Sequence, residues 1–130
     1  LNRENPDKKL LSRIIFTGEV KDPLNYIKYA KMIVIPSLWE GLPRTAIEAQ
    51  ALKTPIISSC KEGGLGEVLL DGDAGILTDH DDESDLIRAI KIYEKDEELA
   101  LKHANRGFKN IDRFSLKSSS NNYLKIFLEL

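Results

Sequence analysis

The sequence is short of the residues that staple or metallate small proteins. It holds one cysteine, Cys60, which excludes an internal disulfide framework and fits a reducing compartment. Its two histidines, His80 and His103, stand far apart, a spacing that argues against zinc. No apolar run approaches the roughly 18 residues that a membrane span requires. The opening stretch "LNRENPDKKL" is polar and reads as no secretory leader, so a cytoplasmic protein is expected. The net charge is only −2, which gives no electrostatic basis for a nucleic-acid partner. Repeats, low-complexity tracts and linkers are lacking too, since the serines at 118–120 lie inside a helical pattern. What remains is 130 residues of ordinary soluble composition, suited to one domain with one core.

Short apolar runs alternate with helical patterns. "RIIFT" at 13–17, "MIVIP" at 32–36, "PIISS" at 55–59 and "GILT" at 75–78 are β-branched runs bounded by Gly, Pro or Lys, and each is expected to be a strand. Continuous apolarity at 32–36 implies cover on both faces. Between the first two runs, "DPLNYIKYA" starts a helix with Asp22 as N-cap and Pro23 at the first position, placing Leu24, Ile27 and Ala30 on one face. "LPRTAIEAQALK" is a second helix, starting near Leu42, with Ala46, Ile47, Ala49 or Gln50, and Leu52 inward. "GGLGEVLLDGDAG" allows one or two helical turns. "DDESDLIRAIKIYEK" aligns Leu86, Ile90 and Tyr93 behind an acidic start. In "DEELALKHANRGF", Leu101, Ala104 and Phe108 share a face. Ser115 caps a last helix carrying Tyr123, Leu124, Phe127 and Leu130. Strands alternating with helices imply βαβ units, hence an α/β fold with a Rossmann-like parallel sheet of about four strands and helices on both faces.

In such sheets ligands bind beyond the carboxyl ends of the strands. Those ends are "TGEV", "PSLWEG", "SSCKEGG" and "LTDH", mostly glycine or small polar residues, whereas the opposite loops are plainer. Gly41, without a Cβ, allows a ligand close to the backbone at the mouth of the second helix. Helix amides carry about half a positive charge and hold phosphate. Pro43 removes one donor, yet Leu42, Arg44 and Thr45 stand at this mouth, and Arg44 adds a charge. Gly63 and Gly64 form a second candidate anion nest. Glu48, further along the helix, is repelled by phosphate but suits the vicinal hydroxyls of a ribose. Glu40, before the helix, suits a sugar hydroxyl or the positive charge of an oxocarbenium-like centre.

These segments, "FTGEV…YAKMIVIPSLWEGLPRTAIEAQALKTPIISS…GGLGEVLLDGDAGIL", resemble the C-terminal domain of retaining glycosyltransferases of the group 1, or family 4, type with the GT-B fold. The resemblance runs from about Ile14 to Tyr93. It rests on F-x-G, Pro-Ser after an apolar strand, the E-x7-E spacing of Glu40 and Glu48, E-A-x-A, G-G-x-x-E and D-G-x-x-G in this order. It implies transfer of a sugar from a nucleotide diphosphate sugar, of UDP or GDP type, to a glycan or lipid-linked acceptor, with retention and without a metal or other cofactor. It implies that Glu40 touches the donor sugar and Glu48 the ribose. It further places amides after Gly41 and around Gly64 toward sugar and phosphates, and backbone near Gly18 and Val20 beside the base. For Glu67 a structural role is expected. The family's diphosphate-gripping Arg and Lys come from a strand upstream of anything here, and its acceptor-binding N-terminal domain is missing as well. The chain is therefore expected to be a single, incomplete domain over 1–130, inactive alone. Residues 1–12 read as the tail of a preceding helix. The parent would be cytoplasmic, at the inner membrane face where peripheral association applies.

Plainer readings stand beside these. Glu40 and Glu48 are ordinary surface carboxylates if the pair is taken alone. Trp39 is expected to pack at the loop base in preference to stacking on a ligand. Arg44 is either a solvated first-turn residue or a phosphate ligand. Cys60 is expected to be an inert strand-end thiol. His80 and His103 are expected to be solvated. They and the basic Arg3, Lys8, Lys9 and Arg13 are assigned no site role, and the acidic run at 79–85 serves a helix start. Alternative functions are a receiver or flavodoxin-like module, a non-catalytic nucleotide-binding or interaction module, and a sugar-nucleotide epimerase or phosphorylase of the same architecture. The receiver lacks its aspartates in "IIFTGEV" and "MIVIPSL".

Overall fold

A computed structural model describes residues 11–60 and 63–129; the expected helix tail at 1–12, apart from its last two positions, lies outside them, as do Arg3, Lys8, Lys9 and Leu130. The described elements run α1 (Pro23–Tyr29), β1 (Ile33–Ile35), α2 (Arg44–Ala51), β2 (Ile56–Ser58), α3 (Gly64–Val68), a 3-10 turn (Leu70–Gly72), β3 (Ile76–Leu77), α4 (Glu83–Lys95), α5 (Glu97–Asn110), a second 3-10 turn (Ile111–Phe114) and α6 (Leu116–Leu128).

Three strands pair in parallel in the order β1-β2-β3. Ile33 stands opposite Ile56, Val34 opposite Ile57 and Ile35 opposite Ser58; Ile57 stands opposite Ile76 and Ser58 opposite Leu77. Successive side chains point to opposite faces, and two hydrophobic clusters follow from that alternation. On one face Ile33, Ile35, Ile56 and Leu77 meet Ile27 of α1, Ala46 and Ala49 of α2, and Leu65, Val68 and Leu69. On the other, Val34, Ile57 and Ile76 meet Ala89 and Tyr93 of α4 and Leu99 and Ala100 of α5. Parallel crossovers are right-handed, so a sheet ordered 1-2-3 carries both connecting helices on one face. The chain then returns across the other face through α4 and α5. The α/β architecture with both faces covered is as expected.

Several local expectations are corrected. Residues 13–17 form no strand, and Ile15 and Phe16 are largely exposed. A β-branched run becomes a strand only when a neighbour takes its backbone bonds and a helix covers its face, and among the described residues none does so for this run. The sheet thus has three described strands where about four were expected. Asp22 makes no side-chain cap bond; its carboxylate instead accepts from Asn25 Nδ2 at 2.6 Å. Of the expected α1 face, Ile27 is buried while Leu24 is exposed. The second helix begins at Arg44, two residues later than expected, with Pro43 in extended conformation at its cap. In α5 the buried residues are Ala100, Ala104 and Gly107, whereas Leu101 and Phe108 are exposed. At Gly107 the absence of a side chain lets α5 lie close to α2: a Cβ there would sit 2.8 Å from Gln50 Cγ.

The other helix starts are as expected. Asp82 caps α4 by accepting from the Ser84 and Asp85 amides, and Ser115 caps α6 by accepting from Ser118. At the end of α2 the chain turns through Lys53 at φ 56°, a left-handed position that glycine usually fills.

Candidate nucleotide-sugar site

The site is built where β1 and β2 end. After Ile35 the chain leaves the sheet through Pro36 and Ser37 and reaches Glu40 and Gly41 before α2 begins. Ser37 Oγ donates to Glu40 Oε1 at 2.7 Å, and Ser59, just past β2, donates to the Ser37 carbonyl at 3.5 Å. The Glu40 carboxylate is therefore held by its own loop, half-buried at the strand tips. Sequence reasoning missed Ser37. The signal was a hydroxyl three positions before a glutamate, in the turn that follows a buried strand.

Two glycine segments far apart in sequence meet here. The Gly64 amide donates to the Glu40 carbonyl at 3.0 Å. Gly63 adopts φ 75°, and a Cβ there would lie 2.4 Å from Glu40 O. A Cβ on Gly64 would lie 1.6 Å from Gly41 O. Any side chain at either glycine would enter the backbone of the other loop, so both positions require glycine. Trp39, expected to pack at the loop base, is 72% exposed. Its ring lies 3.7 Å from where a Gly41 Cβ would be and 3.6 Å from the same point on Gly63, so it lies against the junction of the two glycine turns without entering the core.

α2 carries the remaining groups. The first amides with intrahelical acceptors are those of Ala46 and Ile47, both on the Pro43 carbonyl. Earlier amides, those of Arg44 and Thr45, are the orphan donors of a helix start. Leu42 and Gly41 are exposed beside them. Glu48 lies one turn further, on the solvent side, its side chain 33% exposed and 3.7 Å from the Arg44 guanidinium. The buried face of α2 is taken by Ala46, Ala49 and Gln50, and Glu48 lies at its margin, partly exposed. An exposed i,i+4 ion pair is worth about 0.3–0.5 kcal/mol, so little holds Arg44 against a better anion.

Structure brings Glu40, Gly41, Gly63 and Gly64 into direct contact, sets Leu42 in the loop just before Pro43, and sets Arg44, Thr45 and Glu48 on the adjoining helix. Gly18 stands apart from that cluster at φ 59° with open space where a Cβ would be, and Val20 is half-buried nearby in the chain. Glu67 pairs with Arg113 at 2.6 Å, tying α3 to the second 3-10 turn, a structural contact as expected. Cys60 is buried at the end of β2. Among the described residues no three His, Cys, Asp or Glu side chains form a metal-binding group, and no helix is long and apolar enough to cross a membrane.

The family model for group 1 glycosyl transferases matches residues 4–110. The chain belongs to this family. This group 1 glycosyltransferase chain is 32% identical over 102 residues to the lipopolysaccharide core biosynthesis mannosyltransferase LpcC of Rhizobium leguminosarum bv. viciae, covering 78% of the chain and 29% of that relative. Its fold matches sucrose-phosphate synthase from Thermosynechococcus elongatus with a TM-score of 0.79 at 26% identity, over 94% of this chain and 32% of that one. It also matches a point mutant of S. aureus TarM, solved in complex with Fondaparinux, alpha-GlcNAc-glycerol and UDP, with a TM-score of 0.77 at 25% identity, over 92% of this chain and 24% of that one. The group 1 glycosyltransferase chain thus spans about a third or less of the proteins it matches. The expected family assignment and fold hold.

Proposed function

We propose that this chain is the donor-binding part of a longer retaining glycosyltransferase that transfers a sugar from a nucleotide diphosphate sugar to a glycan or lipid-linked acceptor. The observation that carries the reading is the junction of two glycine turns at the tips of β1 and β2, beside the orphan amides that open α2. Amides of Arg44 and Thr45 receive the diphosphate, aided by the dipole of α2, while the Gly63/Gly64 turn, its Gly64 amide engaged by the Glu40 carbonyl, walls the site beside them. Arg44 exchanges its weak pairing with Glu48 for phosphate, which frees the Glu48 carboxylate to accept from the ribose hydroxyls. Glu40, fixed by Ser37, orients the donor sugar and faces the charge that develops as the nucleoside diphosphate leaves. Fixed donors at the departing phosphate lower the barrier because they need no reorganisation. Gly18 and Val20 stand by the base. No cofactor and no metal take part in this reading.

A uridine or guanosine diphosphate donor is supported by the family and by the UDP in the TarM complex. The upstream remainder of the protein would supply the acceptor site and further diphosphate-binding cations. The cytoplasm, at the inner face of the membrane, would be its place of work. Titration of the chain with UDP, GDP and ADP, by calorimetry or amide NMR, tests the donor site. Glu48→Ala is expected to weaken binding by about 1.5–3 kcal/mol, the worth of hydrogen bonds to a charged group. Equal affinity in wild type and variant would remove the ribose role of Glu48.

A further inference from the structure

Gln50 is a buried polar residue that the donor site does not explain. It sits on α2, two positions past Glu48, and is 1% exposed. Its Nε2 donates to the Val68 carbonyl at 2.6 Å. A carbonyl only accepts, so the amide orientation is fixed by this bond, and Gln50 Oε1 is left buried without a donor among the described residues. An unsatisfied buried acceptor destabilises a fold, and an apolar side chain of similar volume would avoid the penalty. α5 makes room for the amide with Gly107, where a Cβ would lie 2.8 Å from Gln50 Cγ. Asn110, at the end of α5, donates to the same Val68 carbonyl at 3.3 Å. Val68 closes α3, the five-residue helix whose other end is the Gly63/Gly64 turn seated on Glu40 and Gly41.

We propose that Gln50 is a positioning residue for the donor site: it locks the far end of α3 to α2, so that the Gly63/Gly64 turn stays seated on the Glu40 loop. The proposal rests on the donor-site reading given above for its functional meaning, but its structural content stands alone. α2 holds Glu48 and the orphan amides, α3 holds the glycine turn, and Gln50 is the buried hydrogen bond between the two helices. The amide thus sets their relative distance at a cost in stability, which a residue chosen for packing alone would not carry.

The test is Gln50→Met in the full 130-residue chain. It keeps the volume and removes both the donor and the orphaned acceptor. The thermal midpoint is expected to stay level or rise, while hydrogen exchange of the Gly64 amide accelerates by roughly tenfold or more relative to core amides such as Ile57. A merely structural role would move both readouts in the same direction. Should Gln50→Met not fold, Gly107→Ala pushes on the Gln50 amide from α5 and is expected to accelerate Gly64 exchange in the same way. Unchanged Gly64 protection in the variant that folds overturns the proposal. A UDP titration separates this outcome from failure of the donor-site reading. Where the wild type binds, Gln50→Met is expected to weaken UDP about tenfold. Where the wild type does not bind, the donor reading for this chain falls, and Gly64 exchange still decides the role of Gln50.

Discussion

Glu40 and Glu48 differ in how their surroundings hold them. Glu40 is clamped by Ser37 at 2.7 Å, whereas among the described residues Glu48 pairs with the distant, exposed Arg44. Removing the clamp should therefore act on Glu40 without unfolding the chain. Ser37→Ala is expected to cost about 1 kcal/mol or less in stability, the net worth of one hydrogen bond. In the complete enzyme it is expected to lower kcat more than it raises KM, read from steady-state kinetics with varied donor. Glycine at 63 is less forgiving. Gly63→Ala combines a left-handed φ with a contact at 2.4 Å against backbone, and about 2–5 kcal/mol of destabilisation is expected in denaturant unfolding. Ser37 and Gln50 escaped sequence reading because their roles depend on partners brought close by folding. That Glu40, Gly41, Gly63 and Gly64 lie together at the strand tips was legible because their order and spacing belong to a family pattern.

The expectation of a solvated His103 is corrected by the structure. This residue is half-buried on α5 with Nδ1 2.8 Å from the Tyr93 hydroxyl. Burial, then the charges of Arg106 and Lys102, push its pKa below its ordinary value of 6.5. The folded chain then binds this proton less readily than the unfolded chain. Stability contributed by neutral His103 is present above pH 6.5 and falls as pH drops below it. Thermal midpoints measured from about pH 7.5 to about pH 5 are expected to decline less steeply in His103→Gln than in wild type.

At the scale of elements, the sequence read best where local chemistry decides. α4 starts at an aspartate that accepts two amides, with acidic residues in its first turn; Asp82→Ala is expected to cost about 1 kcal/mol in chemical denaturation. α1, α2 and β2 likewise fall within two residues of their expected bounds. The failures share a cause. Residues 13–17 have strand composition but no described neighbour to pair with. α5 buries Ala100, Ala104 and Gly107 and leaves Leu101 and Phe108 outward, and at Gly107 α2 approaches so closely that a Cβ would meet Gln50. Propensity and periodicity describe a segment by itself, while pairing and helix spacing belong to two segments at once.

Across the whole molecule, the core is shared by the two faces of a narrow sheet, with Ile56 on one side and Ile57 on the other. α6 lies outside this core and buries none of its residues, although Leu116, Tyr123, Phe127 and Leu128 are large and exposed. A chain ending at Ser115 is expected to unfold within about 1 kcal/mol of the full chain, as surface changes usually do, by urea titration.

The hydrogen bond from the Gly64 amide to the Glu40 carbonyl also sets an order of events at the ribosome. A nascent chain that has emerged only through β2 carries both glutamates and the opening of α2, yet has no partner for the Glu40 carbonyl. The proposed donor junction comes into being only after the segment through Val68 has left the exit tunnel and docked, so an intermediate lacking α3 would own the signature residues and is expected to bind no nucleotide.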